Sequence, residues 1–355
     1  MGDASRTQIP RTAALVGIVA ALAGAVHSSS AQGCEPIRFT NPNFGVQGWT
    51  QQARQWRLTI GYRYLYSDQW FVGSSEASGM APGGRAPIIR SHTFVADLEY
   101  APNERLAVHF SVPVSTGSIR RVYPLYDSAY HRQHASGIGD ASVSADLWLL
   151  DPRSHQSGNL SVGVGVQAPT GNNEDPGTWY TASGPVEGAA DGSIQPGSGG
   201  WGLSILTRAY ARLFERGSGY FSGSYAFTPQ AHSDVVWQPG REAWAVADGY
   251  SARLGLAYTV LPSTGLSLSL GGRIDGTPVH DVFGGGDEAY RRPGYVIYAD
   301  PGVALTRGKN YFSLNVPLRL HANRLKNALE EKNSAAINGG GFAKALIFLS
   351  YTRRL

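Results

Sequence analysis

Three clusters in the sequence contain residue types that could do chemistry, and each falls in a predicted loop or turn. His131 and His134, with Asp127 nearby, have a spacing that could serve a metal ion, but no second pair of ligands surrounds them. Residues 155–159 include the histidine, serine and asparagine of a membrane phospholipase site, and residues 284–288 form a glycine-rich run that does not lie between a strand and a helix. We therefore predict no enzyme, no metal site and no cofactor, and a membrane-embedded hydrolase is the least favoured alternative.

A larger group of charged side chains lies on one face of the predicted strands. Because side chains alternate between the two faces of a strand, these residues are expected to point into one interior space. Charged side chains that line a pore set its ion preference, whereas arginines paired with carboxylates could equally fill and seal it. We predict that the following residues line a lumen: Arg57, Arg63, Asp97, Glu99, Asp146, Arg208, Arg212, Arg253, Arg273, Asp275, Asp300 and Arg319.

The elements that must position these residues are alternating segments that recur along the chain. Residues 264–276 show the pattern best, since leucines such as Leu268 alternate with polar residues such as Ser269. Each segment has one apolar and one polar side, which is typical of strands with a dry and a wet face. We predict twelve strands, over residues 55–66, 91–101, 105–116, 138–150, 159–169, 201–213, 220–228, 249–261, 265–276, 294–306, 310–321 and 342–355.

The connections between these segments alternate in length. Short connections such as 102–104 and 262–264 alternate with long polar ones such as 170–200. Short turns, long loops and an even number of strands are typical of a transmembrane β-barrel with periplasmic turns and extracellular loops. The predicted fold class is therefore all-β, an antiparallel up-and-down outer-membrane barrel of about twelve strands. A soluble β-sandwich is the alternative, but glycine and serine on the second face of each strand fit an aqueous lumen better.

Composition excludes several other classes of protein. Glycine accounts for 45 of 355 residues, aromatic residues for 11% and charged residues for 16%, which argues against a disordered chain. The formal net charge is only +4, with no run of lysine or arginine, so no nucleic-acid partner is predicted. The single cysteine, Cys34, excludes a disulfide scaffold.

The beginning of the chain predicts the compartment. Two arginines precede an apolar run over 13–26, which is too short for a transmembrane helix, and a small-residue cleavage site follows it. We therefore predict a signal peptide over 1–31, a short periplasmic extension over 32–54 and the barrel over 55–355. A lipoprotein acylated on Cys34 is the alternative.

Two stretches near the middle of the chain carry a family resemblance. Residues 137–140, with the sequence GIGD, precede a strand, and residues 162–171, with the sequence VGVGVQAPTG, end the next one. Together they resemble the GxGD … lGvklPTG pattern of the outer-membrane transporter family named after the MetA pathway of phenol degradation, over residues 137–355. The resemblance implies a barrel that passes small, often aromatic, molecules, and it implies no binding residues. From the residues themselves the role of the motif is structural, since Gly139 and Gly171 can adopt positive φ angles and Pro169 suits a strand end.

The sequence as a whole predicts an outer-membrane channel or transporter through which small molecules, aromatic or anionic, pass passively. Its expected partners are the outer-membrane lipid and a small-molecule solute, and the oligomeric state is left open. The alternative is a closed structural or surface-recognition barrel that acts through the loop at 170–200. Residues 322–337 look helical and form either a surface loop with a turn or two of helix, or a plug whose Glu330 and Glu331 pair with lumen arginines.

Overall fold

The computed structural model describes residues 51–236, 238–333 and 339–355. The predicted signal peptide over 1–31, most of the extension over 32–54 and Cys34 lie outside these residues. The described chain is almost entirely β-structure, with a closed barrel, small sheets in the connecting loops and one short α-helix. None of the described helices is long and apolar enough to cross a membrane.

Strands of two to seventeen residues make up most of the described chain. They are β1 (Gln55–Ser67), β2 (Trp70–Val72), β3 (Ser75–Glu76), β4 (Ile88–Ala101), β5 (Leu106–Val122), β6 (Tyr130–Ile138), β7 (Ser142–Trp148), β8 (Gly158–Gln167), β9 (Pro176–Thr181), β10 (Gly184–Ala189), β11 (Gly202–Phe214), β12 (Gly217–Phe227), β13 (His232–Val236), β14 (Ala243–Ala245), β15 (Gly249–Leu261), β16 (Leu266–Thr277), β17 (Gly294–Ala299), β18 (Gly302–Arg307), β19 (Asn310–Asn315), β20 (Leu318–Arg324), β21 (Gly340–Gly341) and β22 (Ala345–Arg354). The helices are α1 (Ala328–Lys332) and two 3-10 turns, Ser78–Met80 and Pro82–Gly84.

Fifteen of these strands form the closed wall of a barrel: β1, β4, β5, β6, β7, β8, β11, β12, β15, β16, β17, β18, β19, β20 and β22. Neighbours in the wall pair antiparallel, and the last strand pairs with the first from Arg57↔Arg354 to Tyr66↔Ala345, which closes the cylinder. Three consecutive pairs, β6 with β7, β17 with β18 and β19 with β20, each form one interrupted transmembrane strand. With each of these pairs taken as one strand, the prediction of a twelve-stranded antiparallel barrel is confirmed.

Prolines account for two of the three interruptions. Pro301 lies between β17 and β18, and Pro317 lies between β19 and β20. Because proline has no backbone N–H, it cannot donate the ladder hydrogen bond that a continuous strand needs. The strands β6 and β7 separate instead at residues 139–141, within the GIGD motif.

Five wall strands extend at least three residues beyond their predicted spans. The strand that begins with β6 starts at Tyr130 rather than at 138, and β20 ends at Arg324 rather than at 321. β4 begins at Ile88 rather than at residue 91, β5 continues to Val122 rather than to 116, and β12 begins at Gly217 rather than at 220. The extra residues of β4 and β5 remain in register, since Ile88 lies opposite Arg120. The alternation of apolar and polar residues ends earlier than the hydrogen-bonded ladder does, so it underestimates the strand lengths.

Alternation of side chains gives the barrel an apolar outer surface. Leu268 and Leu270 on β16 are 50% and 63% exposed, and Phe94 and Leu254 are similarly exposed on β4 and β15. Their neighbours in sequence, such as Ser269, point to the interior. A broad band of exposed aliphatic and aromatic side chains on the outside is what lipid contact requires.

The two ends of the barrel differ in their connections. At the short-turn end the connections are brief, and Gly308 with φ of +59° allows the tight turn between β18 and β19. At the other end, the long-loop end, β2 pairs with β3 and β21, β9 pairs with β10, and β13 pairs with β14. The long connections are therefore folded over the barrel as small sheets.

The helix-like segment predicted over 322–337 forms α1, which is little more than one turn. Asn327 caps it, since its side chain accepts a hydrogen bond from the Glu330 N–H at 2.8 Å. The Glu330 carboxylate accepts a hydrogen bond from Arg324 Nη2 at 3.1 Å, and both side chains are buried. The salt-bridge partner of Glu330 is therefore Arg324, and not Arg273 or Arg319 as the plug alternative suggested.

Candidate functional site

The inner surface of the barrel has two unlike halves. On β22, β1 and β4 the inward side chains are buried, as Thr59, Arg63, Asp97 and Phe348 show, and we call this side the packed half. The strands from β5 to β16 carry many inward serines that stay partly exposed. We call these residues the serine wall: Ser111, Ser115, Ser142, Ser144, Ser204, Ser222, Ser224, Ser251, Ser267 and Ser269. Partly exposed inward side chains border free space, so the open part of the lumen lies along the serine wall.

One cluster of charged residues is centred on His109 of β5. The ring nitrogens of His109 lie between two carboxylates, with Nδ1 3.2 Å from Asp97 Oδ1 and Nε2 3.0 Å from Asp146 Oδ2. Arg208 Nη2 donates to Asp146 Oδ2 at 2.5 Å, and Arg57 Nε donates to Glu99 at 2.8 Å. Three carboxylates therefore face two guanidinium groups and one imidazole, and the charges compensate one another.

A glycine makes one of these ion pairs possible. Asp146 lies on β7 and Arg208 lies on β11, so their side chains meet across the intervening strand β8. Gly163 of β8 stands between them, and a Cβ atom at this position would lie 2.2 Å from Asp146 Oδ1. The absence of a side chain at residue 163 therefore leaves the space in which Arg208 reaches the carboxylate.

A second charged cluster extends from β15 and β16 towards the packed half. Arg253 Nε donates to Asp300 Oδ2 at 2.6 Å, and Arg273 Nε donates to Asp275 Oδ2 at 2.6 Å. The Arg273 guanidinium also stacks 4.6 Å from the ring of Phe348. These side chains are buried, so this cluster fills one side of the barrel instead of lining a wide pore.

The remaining predicted site residues are dispersed. Arg63 donates to Thr93 Oγ1 at 3.2 Å in the packed half. Arg319 donates to the Phe342 carbonyl oxygen at 2.8 Å towards the long-loop end. Arg212 is exposed at the short-turn end, next to a β-bulge that shifts the register before Phe214. The twelve residues thus form two compensated clusters and three separate positions, and not one ring of charge.

His109 is a site residue that the sequence analysis did not select. It lies two residues before Ser111, on the same polar face of β5. Its inward direction therefore follows from the same alternation that selected the arginines. Its two carboxylate partners come from different strands, β4 and β7. A histidine on the polar face of a predicted barrel strand, close to selected acidic residues, is the signal that could have identified it.

The GIGD motif acts as a structural link. The Asp140 carboxylate accepts hydrogen bonds from the N–H groups of Gly171 at 2.9 Å and Ser198 at 2.7 Å, and from the Gln167 amide at 3.1 Å. These donors lie at the end of β8 and in the loop that follows it. The motif therefore holds both ends of the loop at 168–201 against the gap between β6 and β7.

The glycines of the motif are required for close approach and not for their φ angles. Neither Gly139 nor Gly171 uses the positive φ angle that glycine allows. A Cβ atom on Gly171 would instead lie 2.7 Å from the Cα atoms of both Gly139 and Gly197. Three backbone segments meet at this point, and only glycine fits between them.

In the clusters at 127–134 and 155–159, the candidate residues stack on aromatic rings or form hydrogen bonds with neighbouring residues. His131 stacks 3.8 Å from the ring of Tyr180, whereas His134 lies three residues on along β6 and faces Thr116. Residues three apart on a strand point to opposite faces, so these two histidines cannot bind one ion. Asn159 is buried and its side chain donates to the Leu150 carbonyl oxygen at 2.9 Å. Within the described ranges no three metal-ligating side chains come together.

A buried carboxylate joins two long loops to the end of strand β5. The Asp191 carboxylate accepts hydrogen bonds from both terminal nitrogens of Arg292, each at 2.9 Å, and forms a salt bridge with Arg121. The Arg121 guanidinium lies 5.0 Å from the ring of Trp179. Burial raises the pKa of Asp191, but Arg292 and Arg121 outweigh this effect and hold the pKa well below its ordinary value. We call Asp191, Arg121 and Arg292 the loop anchor.

Known proteins share the architecture and little sequence. No family model matches the chain, and no curated protein matches it. An outer membrane channel from Pseudomonas putida F1 is 16% identical, with a TM-score of 0.59, over 88% of this chain and 99% of that chain. The Ralstonia pickettii toluene transporter TbuX is 9% identical, with a TM-score of 0.45, over 92% and 96%. The closed antiparallel wall, the apolar outer surface and the near-complete overlap with the Pseudomonas putida structure show that this chain has the fold of an outer-membrane β-barrel.

Proposed function

We propose that this protein is a passive channel for small molecules in the outer membrane and that solutes move along the serine wall. The serine wall itself carries the proposal, because it is a run of small, partly exposed hydroxyl side chains inside a closed barrel. Small side chains leave room for a solute, and hydroxyl groups replace the hydrogen bonds that a solute loses with water. The apolar outer surface supports the placement in a membrane.

We further propose that small anionic molecules, including aromatic acids, are the preferred solutes. Two arginines of the His109 cluster, Arg57 and Arg208, have partly exposed side chains, at 13% and 18%, whereas their carboxylate partners are almost fully buried. A solute beside these residues would therefore meet the guanidinium edges and not the carboxylates. The partly exposed guanidinium groups give this part of the lumen a positive electrostatic potential, which favours anions.

Planar-bilayer recordings of the purified barrel test the route. Ser222 lies on β12 opposite Arg208 and Arg253, so Ser222→Trp would place a large ring in the free space. We expect the single-channel conductance to fall by about half or more, because the open cross-section is narrowed. Leu254→Trp, on the outer face of β15, is the matched control and should leave the conductance unchanged.

Two results would contradict the proposal. An unaltered conductance in Ser222→Trp would place the route elsewhere in the barrel. No conductance and no liposome swelling with the unmodified protein would favour the closed structural barrel, which the buried ion pairs of Arg253 and Arg273 make the second candidate. Reversal potentials in a salt gradient test the solute charge, since the proposal requires anion preference.

A further inference from the structure

The outside of the barrel carries a concentration of positive charge at the long-loop end. Arg85, Arg90, Arg120 and Arg132 form what we call the basic patch, on β4, β5, β6 and the loop before them. All four side chains are exposed, and no salt bridge found among the described residues involves them. The neighbours Ile119 and Gln133 are buried, so Arg120 and Arg132 point away from the interior.

Aromatic rings hold these charges close together. Arg120 and Arg132 are direct partners across β5 and β6, an arrangement of like charges that is unfavourable by itself. The ring of Tyr130 lies 4.9 Å from the Arg85 guanidinium and 5.2 Å from that of Arg120. The Arg90 guanidinium lies similarly over the ring of Tyr66. Converging guanidinium groups without carboxylates fit a ligand that carries several negative charges.

The distance of the basic patch from the apolar outer surface indicates which kind of ligand it could bind. On these strands the exposed apolar surface ends at Phe94, Val114 and Ile138. Arg90 lies four residues beyond Phe94, and Arg120 lies six beyond Val114. At about 3.4 Å per residue and a strand tilt of about 40°, the patch is about 10–15 Å above the apolar surface. A phospholipid headgroup layer is only about 5–8 Å thick, so the charges it carries lie below the patch.

We propose that the basic patch binds the phosphorylated sugars of a glycolipid in the outer leaflet. A phosphorylated oligosaccharide carries its charges further from the acyl chains than a phospholipid does, and guanidinium groups bind phosphates bidentately. The glycolipid acyl chains would lie against the outer surface below the patch. The proposal rests on the placement in the outer membrane and not on conduction through the lumen.

Binding of lipopolysaccharide to the purified full-length barrel, measured by fluorescence titration in detergent, tests this proposal. The triple variant Arg90→Gln, Arg120→Gln, Arg132→Gln should bind about a hundredfold more weakly, at about fivefold for each arginine removed near an anionic lipid surface. The control removes three exposed arginines elsewhere, Arg216→Gln, Arg307→Gln and Arg353→Gln, and should bind as the unmodified protein does.

Each arm of the experiment has a decisive outcome. Enzymatic removal of the lipid phosphates should abolish binding, and phosphatidylglycerol should bind at least about tenfold more weakly than lipopolysaccharide. Equal losses in the two triple variants, or equal binding of both lipids, would overturn the proposal. Gel mobility before and after heating confirms that each variant is folded. Conductance is recorded on the same samples, so failure of the lipid site and failure of the channel are distinguishable.

Discussion

Replacing Asp191 by asparagine should release the loops that cover the barrel. The carboxylate is fully buried and bound to two guanidinium groups, so Asp191→Asn removes the negative charge that Arg121 and Arg292 share. Removing one partner of a buried ion pair costs about 3–5 kcal/mol. Since about 1.4 kcal/mol corresponds to a factor of ten, the open population of the loop should rise at least about a hundredfold.

Chymotrypsin digestion of the folded barrel measures this opening. Trp179 is 3% exposed beneath Arg121, so cleavage after it requires the loop at 168–201 to lift. The cleavage rate should follow the open population and rise by a similar factor. Glu187→Gln removes an exposed carboxylate from the same loop and should change the rate less than about twofold. Equal rates in Asp191→Asn and the unmodified protein would refute the role of the loop anchor.

The pH dependence of the same assay follows from the sign of the pKa shift. The folded protein holds the pKa of Asp191 well below its ordinary value, so the stabilisation is present above the unfolded pKa of about 3.9. It is lost only as the pH falls through the lower, folded value. Chymotrypsin itself is slower at pH 5, where its catalytic histidine is protonated, so the rate of cleavage after Trp179 is divided by the rate for a short unstructured peptide at the same pH. This ratio should be equal at pH 7 and pH 5, and a higher ratio at pH 5 would contradict the depressed pKa.

Three further predictions concern the wall of the barrel. Leu268→Arg places a charge on the outer surface at mid-strand and should lower the free energy of unfolding in lipid by about 2–4 kcal/mol, whereas Ser269→Arg should cost far less; equal losses would reverse the assignment of the two faces. Gly171→Ala should cost about 1–3 kcal/mol because backbone atoms crowd the new Cβ, whereas Gly272→Ala, where the Cβ meets no atom within 4 Å, should be tolerated in the same urea titration. Protease added to whole cells should spare residues 262–264, and cleavage there would invert the proposed orientation.

The number of strands and the direction of their side chains could be predicted because a barrel strand repeats every two residues. Leu268 faces outward and Ser269 inward as the pattern requires. The ends of the strands were predicted less well, because the alternation is lost there while the ladder continues. The adjacent residues Ile88 and Ile89 are both apolar, and Arg120 and Arg121 are both charged. The breaks at Pro301 and Pro317 were readable in principle, since proline cannot donate to the ladder.

The partners within the site could not be predicted from alternation. The pattern gives the face on which Arg208 lies, but its carboxylate is 62 residues away and is reached across a third strand. Arg212 has the same parity and is nevertheless exposed, because it lies two residues from the end of β11, at the short-turn end of the barrel. The loop anchor joins Asp191 to Arg121 and Arg292 over 70 and 101 residues, and loops have no period from which such contacts follow.

The arrangement of the interior ion pairs bears on how the barrel is assembled. Arg273 and Asp275 lie on one strand, Arg57 and Glu99 lie on neighbouring strands, and Asp97 meets His109 within one hairpin. For these three pairs the counter-charge is therefore in place before the wall closes, whereas Arg208 and Arg253 meet their carboxylates only across a third strand. Moving an unpaired charge into hydrocarbon is costly, whereas a compensated hairpin avoids most of that cost. Stepwise insertion, one hairpin after another, can then proceed along the chain until the last strand meets the first.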